Sequence, residues 1–223
     1  MTDQPTVLAG RTILIAGATS AAGRAVAQAL LDAGARADAV GSDQGRIDAM
    51  AADLPGVLGE RADLTDGDDV LELAMRVHAR VGSIDGVVHL VGGWRGGGGI
   101  LGQTEEDYRV LERSFTALRD VSRAFWNDLV ASPAGRIAIV SSTTVTAPAP
   151  GSANYTAIKA ASESWMQALA QGFAKADAPA AAVTFRVRSL AGLEDELAAS
   201  VVGLWRADAA ALNGSVTELV ATA

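Results

Sequence analysis

The stretch that decides the fold is AGATSAAGR, residues 16–24, which follows a short apolar run and precedes an alanine-rich segment of helical period. Gly17 permits a tight turn after a strand, and Gly23 allows a helix to approach that strand closely. The N–H groups at the start of such a helix, together with the helix dipole, favour an anion. The stretch therefore predicts a strand–turn–helix unit that holds the pyrophosphate of a dinucleotide, although glycines at such turns also occur for packing alone.

The rest of the chain repeats the alternation of apolar runs and helical segments that begins with this unit. Such alternation is typical of β-α-β units around a parallel sheet of about seven strands flanked by helices. Neither a linker nor a repeat interrupts it, so residues 1–223 are expected to form one α/β domain. The predicted strands are 12–16, 37–40, 57–61, 86–91, 136–141, 182–187 and 216–219, and the predicted helices are 22–33, 46–52, 66–81, 105–131, 154–176 and 193–212.

Composition narrows the function classes. No apolar run approaches the roughly 20 residues that span a bilayer, and the N-terminal residues 1–10 do not resemble a signal peptide. A net charge of −8 argues against non-specific nucleic-acid binding. The absence of cysteine excludes disulfides and fits a reducing compartment, and the two histidines are too far apart for a metal site. We therefore expect a cytoplasmic protein with neither a membrane nor a nucleic-acid partner, and without a metal.

The end of the second predicted strand bears on the choice of dinucleotide. An acid there would bind the ribose 2′-OH of NAD, whereas an arginine would accept the 2′-phosphate of NADP. Gly41 stands where the acid is expected and Ser42 follows it, while Asp43 and Arg46 could each reach the ribose from the loop. The choice stays open, with NADP favoured because Gly41 is not an acid.

Asp63 follows the third predicted strand, in the run ADLT. Its carboxylate could accept a hydrogen bond from an adenine amino group. The alternative is a helix N-cap, for which Thr65 or Asp66 is the better candidate.

Tyr155 and Lys159 are the strongest chemical signal in the chain. A spacing of four places both side chains on one helix face, where the ammonium is expected to lower the tyrosine pKa from its ordinary value of about 10. A tyrosine tuned in this way can act as a general acid or base. Ser142, at the end of a predicted strand, can donate a hydrogen bond to the same substrate oxygen. The pair alone would be weak, but Ser142 and the glycine turn make it specific.

Together these features resemble the short-chain dehydrogenase/reductase family over about residues 10–176. The resemblance implies a Rossmann-type doubly wound sheet, the nicotinamide beside Tyr155, and a hydrogen bond from Lys159 to the nicotinamide ribose. It also implies a homodimer or homotetramer formed through the helices 105–131 and 154–176. The residues that carry it are Gly17, Gly23, Asp63, Gly92, Ser142, Tyr155 and Lys159. The cofactor contacts that it implies are Gly17, Thr19, Ser20, Ala22, Gly23, Ser42, Asp63, Leu64, Val91, Gly92, Tyr155 and Lys159.

Several positions depart from the family pattern. Ala21 replaces the middle glycine of the turn, and HLVG at residues 89–92 replaces Asn-Asn-Ala-Gly. His89 is expected to make a structural hydrogen bond rather than to act in catalysis. Ser114 aligns with the helix asparagine that holds a water of the family's proton relay, and we therefore count it, with Ser142, Tyr155 and Lys159, among the catalytic candidates.

The substrate side of the site also departs from the family. The Pro-Gly that follows the sixth strand is missing, which predicts a short substrate lid. The glycine loop 92–99 could cover the substrate instead, with Trp94 as a stacking surface and Arg95 as a charge. Alternatively, it is a mobile surface loop whose Trp94 packs on the core. The loop is similar to that of dihydropteridine reductases, which reduce flat pterins, but Ser142 argues against close membership.

The sequence thus predicts an NAD(P)-dependent oxidoreductase that transfers a hydride between nicotinamide and a small carbonyl or alcohol substrate. Two alternatives remain: an enzyme like the dihydropteridine reductases, and a catalytically silent dinucleotide-binding sensor.

Overall fold

The computed structural model describes residues 7–221, so the expectations for residues 1–6 and 222–223 lie outside the described part. Seven parallel strands form one sheet in the order β3-β2-β1-β4-β5-β6-β7. The strand order reverses between β1 and β4, so the predicted Rossmann-type doubly wound sheet is confirmed. The strands are β1 (Thr12–Ala16), β2 (Arg36–Gly41), β3 (Val57–Arg61), β4 (Gly86–His89), β5 (Arg136–Ser142), β6 (Ala181–Val187) and β7 (Val216–Glu218).

Helices cover both faces of this sheet, which explains why the central strands are apolar without alternation. Ile13 and Ile15 of β1 join one hydrophobic cluster, whereas Leu14 and Ala16 join the other on the opposite face. The helices are α1 (Ala21–Asp32), α2 (Gln44–Asp53), α3 (Gly67–Val81), α4 (Glu105–Ala124), α5 (Trp126–Ala131), α6 (Ala153–Lys175), α7 (Glu194–Gly203) and α8 (Ala209–Leu212).

Two predicted helices are each broken in two. The prediction over 105–131 fails at Phe125, whose backbone leaves the helical conformation while its ring is fully buried against His78. The prediction over 193–212 fails after Gly203, where Trp205 packs its ring beside Gly86 and donates its indole N–H to Ala134. In both places the burial of an aromatic ring in the tertiary structure outweighs local helix propensity.

The predicted fourth strand is also too long. β4 ends at His89, and the chain from Leu90 onward leaves the sheet to line a cleft. The other element bounds differ from the predicted ones by only a few residues at each end.

Candidate active site

The glycine turn packs so closely that neither of its two glycines can carry a side chain. Gly17 has φ of +81°, and a Cβ there would lie 2.9 Å from the backbone of Leu90. A Cβ on Gly23 would lie 2.3 Å from the carbonyl oxygen of Ala18. Ser20 caps α1 by accepting the N–H of Gly23 at 3.1 Å, and Ala21, at the position of the family's middle glycine, is exposed. The turn therefore brings β1, α1 and the end of β4 together at the carboxyl edge of the sheet.

A cleft of about 580 Å³ lies beside this turn, at the topological switch point of the sheet. Ligands of open α/β sheets bind at such a point. Ala22, which was also predicted to contact the cofactor, does not line this cleft and lies in the hydrophobic core. The predicted site residues that line the cleft are Gly17, Thr19, Ser20, Ser42, Asp63, Leu64, Val91, Gly92 and Ser114.

Of the α4 residues that line this cleft, the sequence had indicated only Ser114. Val110, Leu111 and Arg113 line it together with Ser114. Val110 and Leu111 precede Ser114 by four and three residues, so helical periodicity could have placed them on the same face. The same periodicity does not predict Arg113, because Arg113 reaches the cleft from the adjoining face of the helix.

Where β2 ends, the structure separates the two side chains that could reach a ribose. The carboxylate of Asp43 accepts the N–H of Arg46 at 3.0 Å and so caps α2. The guanidinium of Arg46 lines the cleft and donates to the carbonyl of Thr19 at 2.9 Å. Gly41 is buried, and a Cβ there would lie 3.2 Å from Ile47, so a larger acidic side chain would be crowded.

The carboxylate of Asp63 is held by side chains on either side of the cleft. It accepts the N–H and the hydroxyl of Thr65 at 3.0 and 2.7 Å, and the guanidinium of Arg113 at 3.2 Å. The bonds from Thr65, and then the charge of Arg113, hold the pKa of Asp63 below its usual range. Asp66, not Asp63, is the N-cap of α3.

The predicted catalytic residues meet where β5 ends and α6 begins. Lys159 donates to the carbonyl of Val140 at 2.7 Å, and its ammonium lies 5.7 Å from the ring centroid of Tyr155. The hydroxyl of Ser142 is a hydrogen-bond partner of the Tyr155 phenol. A Cβ on Gly92, which lines the cleft, would lie 3.7 Å from the Lys159 nitrogen, so Lys159 adjoins the cleft at Gly92. Ser142, Tyr155 and Lys159 are not themselves among the lining residues.

The electrostatics of this group differ from the expectation. Burial raises the pKa of Tyr155, and the hydrogen bond with Ser142 opposes that effect only in part. The expected net lowering by Lys159 is therefore wrong for this structure, in which the ammonium is bound to the carbonyl of Val140. Burial also lowers the pKa of Lys159 to about 8, against the opposing charge of Glu163.

Two threonines that the sequence analysis missed orient Ser142. The oxygen of Ser142 accepts both the N–H and the hydroxyl of Thr144, at 3.2 and 3.0 Å. Thr156 in turn donates its hydroxyl to Thr144 at 3.0 Å. Because its oxygen accepts two bonds, Ser142 keeps its own hydrogen for donation towards Tyr155. Their closeness in the sequence to predicted site residues could have identified them, since Thr156 follows Tyr155 directly and Thr144 lies two residues after Ser142.

Ser114 lines the cleft, but its polar groups are bonded within the protein, and His89 binds its backbone. The hydroxyl of Ser114 donates to the carbonyl of Leu111 at 2.7 Å, and the Nε2 of His89 lies 3.1 Å from the carbonyl of Ser114. Burial lowers the pKa of His89 to about 4, so its imidazole is neutral and its Nε2–H donates to this carbonyl. The structural hydrogen bond predicted for His89 is confirmed. The predicted relay role of Ser114 stays a prediction, with its hydroxyl already bound within its own helix.

The two residues singled out in the glycine loop lie in different environments. Arg95 lines the cleft, but Trp94 is 59% exposed and does not line it. The indole therefore does not pack on the core, and that alternative is wrong, whereas stacking of Trp94 on a substrate stays a prediction.

Comparison with known proteins agrees with this geometry. The model of the short chain dehydrogenase family matches residues 11–185, and the chain belongs to that family. It is 31% identical to nodulation protein G of Rhizobium meliloti (strain 1021), over 75% of this chain and 69% of that one. It is 26% identical to a short chain dehydrogenase of Pseudocercospora fijiensis (strain CIRAD86), over 73% of this chain and 55% of that one.

Solved structures show the same fold at lower identity. The crystal structure of gox2181 superposes with a TM-score of 0.84 at 20% identity, over 96% of each chain. A short-chain dehydrogenase/reductase from Brucella melitensis, described as a glucose/ribitol dehydrogenase, gives 0.82 at 20% identity over 95% of each chain. At this identity the likeness concerns the fold alone.

Family membership indicates an oxidoreductase of a family that binds nicotinamide dinucleotides and small-molecule substrates. Within residues 7–221, no helix is both long and apolar enough to cross a bilayer. The same residues contain no cluster of three or more side chains suited to holding a metal ion.

Proposed function

We propose that this chain reduces a carbonyl substrate with a nicotinamide dinucleotide, using Tyr155 as the general acid. The observation that carries the proposal is the meeting of Ser142, Tyr155 and Lys159 where β5 ends and α6 begins, with Lys159 beside Gly92 of the switch-point cleft. Side chains of these types, in this arrangement, can protonate an oxygen and stabilise the charge that develops on it.

The residues around the cleft fit a dinucleotide. The first turn of α1 would hold the pyrophosphate, because its N–H groups face the close-packed turn between Gly17 and Gly23. Asp63 and Leu64 would contact the adenine, and Val91 and Gly92 the nicotinamide, with its ribose against Tyr155 and Lys159. When bound, the nicotinamide would supply or accept the hydride.

The chain's own residues would handle the proton. The raised pKa of Tyr155 keeps its phenol protonated near neutral pH, so the proton that reduction of a carbonyl requires is present on the phenol. Ser142, oriented by Thr144, would donate a hydrogen bond to the same oxygen. The Lys159 ammonium would stabilise the phenolate left behind.

We further propose NADP(H) as the preferred dinucleotide. Asp43 is engaged in capping α2, whereas Arg46 faces the cleft beside the exposed Ser42. A guanidinium in this place can pair with a 2′-phosphate, and no acid stands at Gly41 to bind a free 2′-OH. We expect Arg46→Met to weaken NADPH binding about tenfold while NADH binding stays within twofold, as measured by ligand fluorescence. Equal effects on both would contradict this preference.

The remaining expectations complete the proposal. Residues 1–223 would form one domain with a short lid, supported by the short connection from Val187 to Glu194 between β6 and α7. The protein would act in the cytoplasm as a homodimer or homotetramer formed through α4 and α6.

Tyr155→Phe tests the mechanism. We expect turnover to fall about a thousandfold, because the variant has no phenolic proton to transfer, while dinucleotide affinity persists. The measurement is NADPH and NADH oxidation against a panel of aldehydes, ketones and quinonoid pterins. Tyr108→Phe, which alters the other tyrosine of the chain, is the matched control. Wild-type turnover by the Tyr155 variant would overturn the mechanism, and wild-type protein that binds dinucleotide but turns over no substrate would favour the silent sensor.

A further inference from the structure

The glycine-rich loop between β4 and α4 is fastened to the start of α6 by the side chain of Gln103. Its Nε2 lies 3.1, 3.2 and 3.1 Å from the carbonyl oxygens of Gly97, Gly99 and Gly151. Its Oε1 accepts the N–H of Asn154 at 3.0 Å. One amide thus joins the loop at residues 97–99 to the segment 151–154.

The loop can close around Gln103 only because its backbone carries no side chains at the contact points. The N–H of Gly97 donates to the carbonyl of Gly151 at 2.7 Å. Gly98 has φ of +64°, and a Cβ on Gly102 would lie 2.6 Å from the oxygen of Gly97. The glycine run is therefore required by the packing of the loop against itself and against the segment before α6.

The hydrogen bonds of Gln103 also reach Asn154, the residue that precedes the proposed general acid Tyr155. The first N–H groups of a helix have no partner within the helix, and Gln103 supplies one for Asn154. The side chain of Asn154 also donates to the carbonyl of Thr104, the N-cap of α4, at 3.1 Å. Two hydrogen bonds thus hold Asn154, one residue before Tyr155, whereas Ser142 is held by Thr144, to which Thr156 of α6 also donates.

From this geometry we propose that Gln103 is a positioning residue, which sets where the Tyr155 phenol lies relative to Ser142. The proposal rests on the proposed function, since it concerns the same proton donor. Gln103 does not itself line the cleft, whereas Gly92 and Arg95 of the loop that it fastens do, so dinucleotide affinity is the measurement that separates positioning of Tyr155 from a change in the loop. Misplacing a reacting group by about 1 Å can cost up to a hundredfold in rate.

The test is Gln103→Met, which keeps the length of the side chain but removes its hydrogen bonds. We expect kcat to fall about 10- to 100-fold, with the Kd of NADPH and NADH within twofold of wild type. Gln167→Met is the matched control, because Gln167 also bonds a glycine carbonyl, that of Gly214 at 2.9 Å, from a later turn of α6. Its kcat should match that of wild type.

Two results would overturn the proposal: a kcat within twofold of wild type, or a parallel loss of kcat, dinucleotide affinity and melting temperature. If Gln103→Met does not fold, Gln103→Glu replaces it under the same criteria, since that variant keeps the acceptor for Asn154 and loses the donors. An active Gln103 variant beside an inactive Tyr155→Phe refutes the positioning role alone. An active Tyr155→Phe refutes the proposed function as well.

Discussion

A cation is bound near each end of strand β5: Arg136, which is buried, and Lys159, which is partly buried. The two cations differ in how many of their hydrogen-bond donors the protein engages. At the amino end, the guanidinium of Arg136 is 4% exposed and donates only to backbone carbonyls. At the carboxyl end, the ammonium of Lys159 donates to a carbonyl of the strand itself, that of Val140. The carbonyls that surround Arg136 belong to Gly135, Pro179, Leu204 and Ala207.

The difference separates a structural cation from a functional one. Burial lowers the pKa of both groups, but Arg136 starts from so high a value that it stays charged, whereas the pKa of Lys159 falls to about 8. All three guanidinium nitrogens of Arg136 donate to the protein. An ammonium has three N–H donors, and the described residues engage one of those of Lys159 through Val140. Lys159 therefore has N–H donors with which it can bind a ligand, whereas the donors of Arg136 are engaged by the protein.

Removing the functional cation should give the largest effect. We expect Lys159→Met to lower kcat about a thousandfold, because the phenolate of Tyr155 loses its counter-charge. The melting temperature should not fall, since burying an ammonium is costly. Steady-state turnover and thermal unfolding measure the two quantities. If Lys159→Met is unfolded or fully active, Lys159 is not a functional cation and does not differ from Arg136 in the way described.

Removing the structural cation, Arg136, should lower the stability of the protein and leave its turnover unchanged. Arg136→Met would leave four carbonyls short of a donor, two of them in buried hydrogen bonds, at a cost of about 3 kcal/mol or more in the free energy of unfolding. For a chain of this length we expect the melting temperature to fall by about 6–12 °C. The kcat of the folded protein should stay within twofold of wild type. Arg61→Met, at an exposed arginine, is the control. Loss of activity without loss of stability would show that Arg136 serves the site.

The smallest effect concerns pH. The carboxylate of Glu163 raises the pKa of Lys159 against the larger effect of burial, which brings it to about 8. Activity that requires the ammonium should therefore decline above about pH 8. Glu163→Gln removes the raising charge, so the decline should move to lower pH, as a pH–kcat profile would record. Ser141→Ala removes a hydrogen bond to Glu163 at 2.6 Å but no charge, and should leave the profile in place. If the pH–kcat profile of Glu163→Gln matches that of wild type, titration of Lys159 does not cause the decline in activity at high pH.

The sequence by itself determined the features that depend on near neighbours along the chain. The spacing of Gly17 and Gly23 predicted the turn, because steric fit at a strand–helix junction is local. The uninterrupted apolar runs predicted parallel strands buried on both faces, and a spacing of four placed Tyr155 and Lys159 on one face of α6.

Only the tertiary structure decided the features that join distant segments or depend on burial. Gln103 and Asn154 are separated by 51 residues, and Arg136 bonds carbonyls as many as 71 residues away. The helix break at Phe125 and the raised pKa of Tyr155 follow from what packs around those side chains. Spacing along a chain fixes which side chains share a face, but desolvation and long-range hydrogen bonds exist only once the segments have packed together.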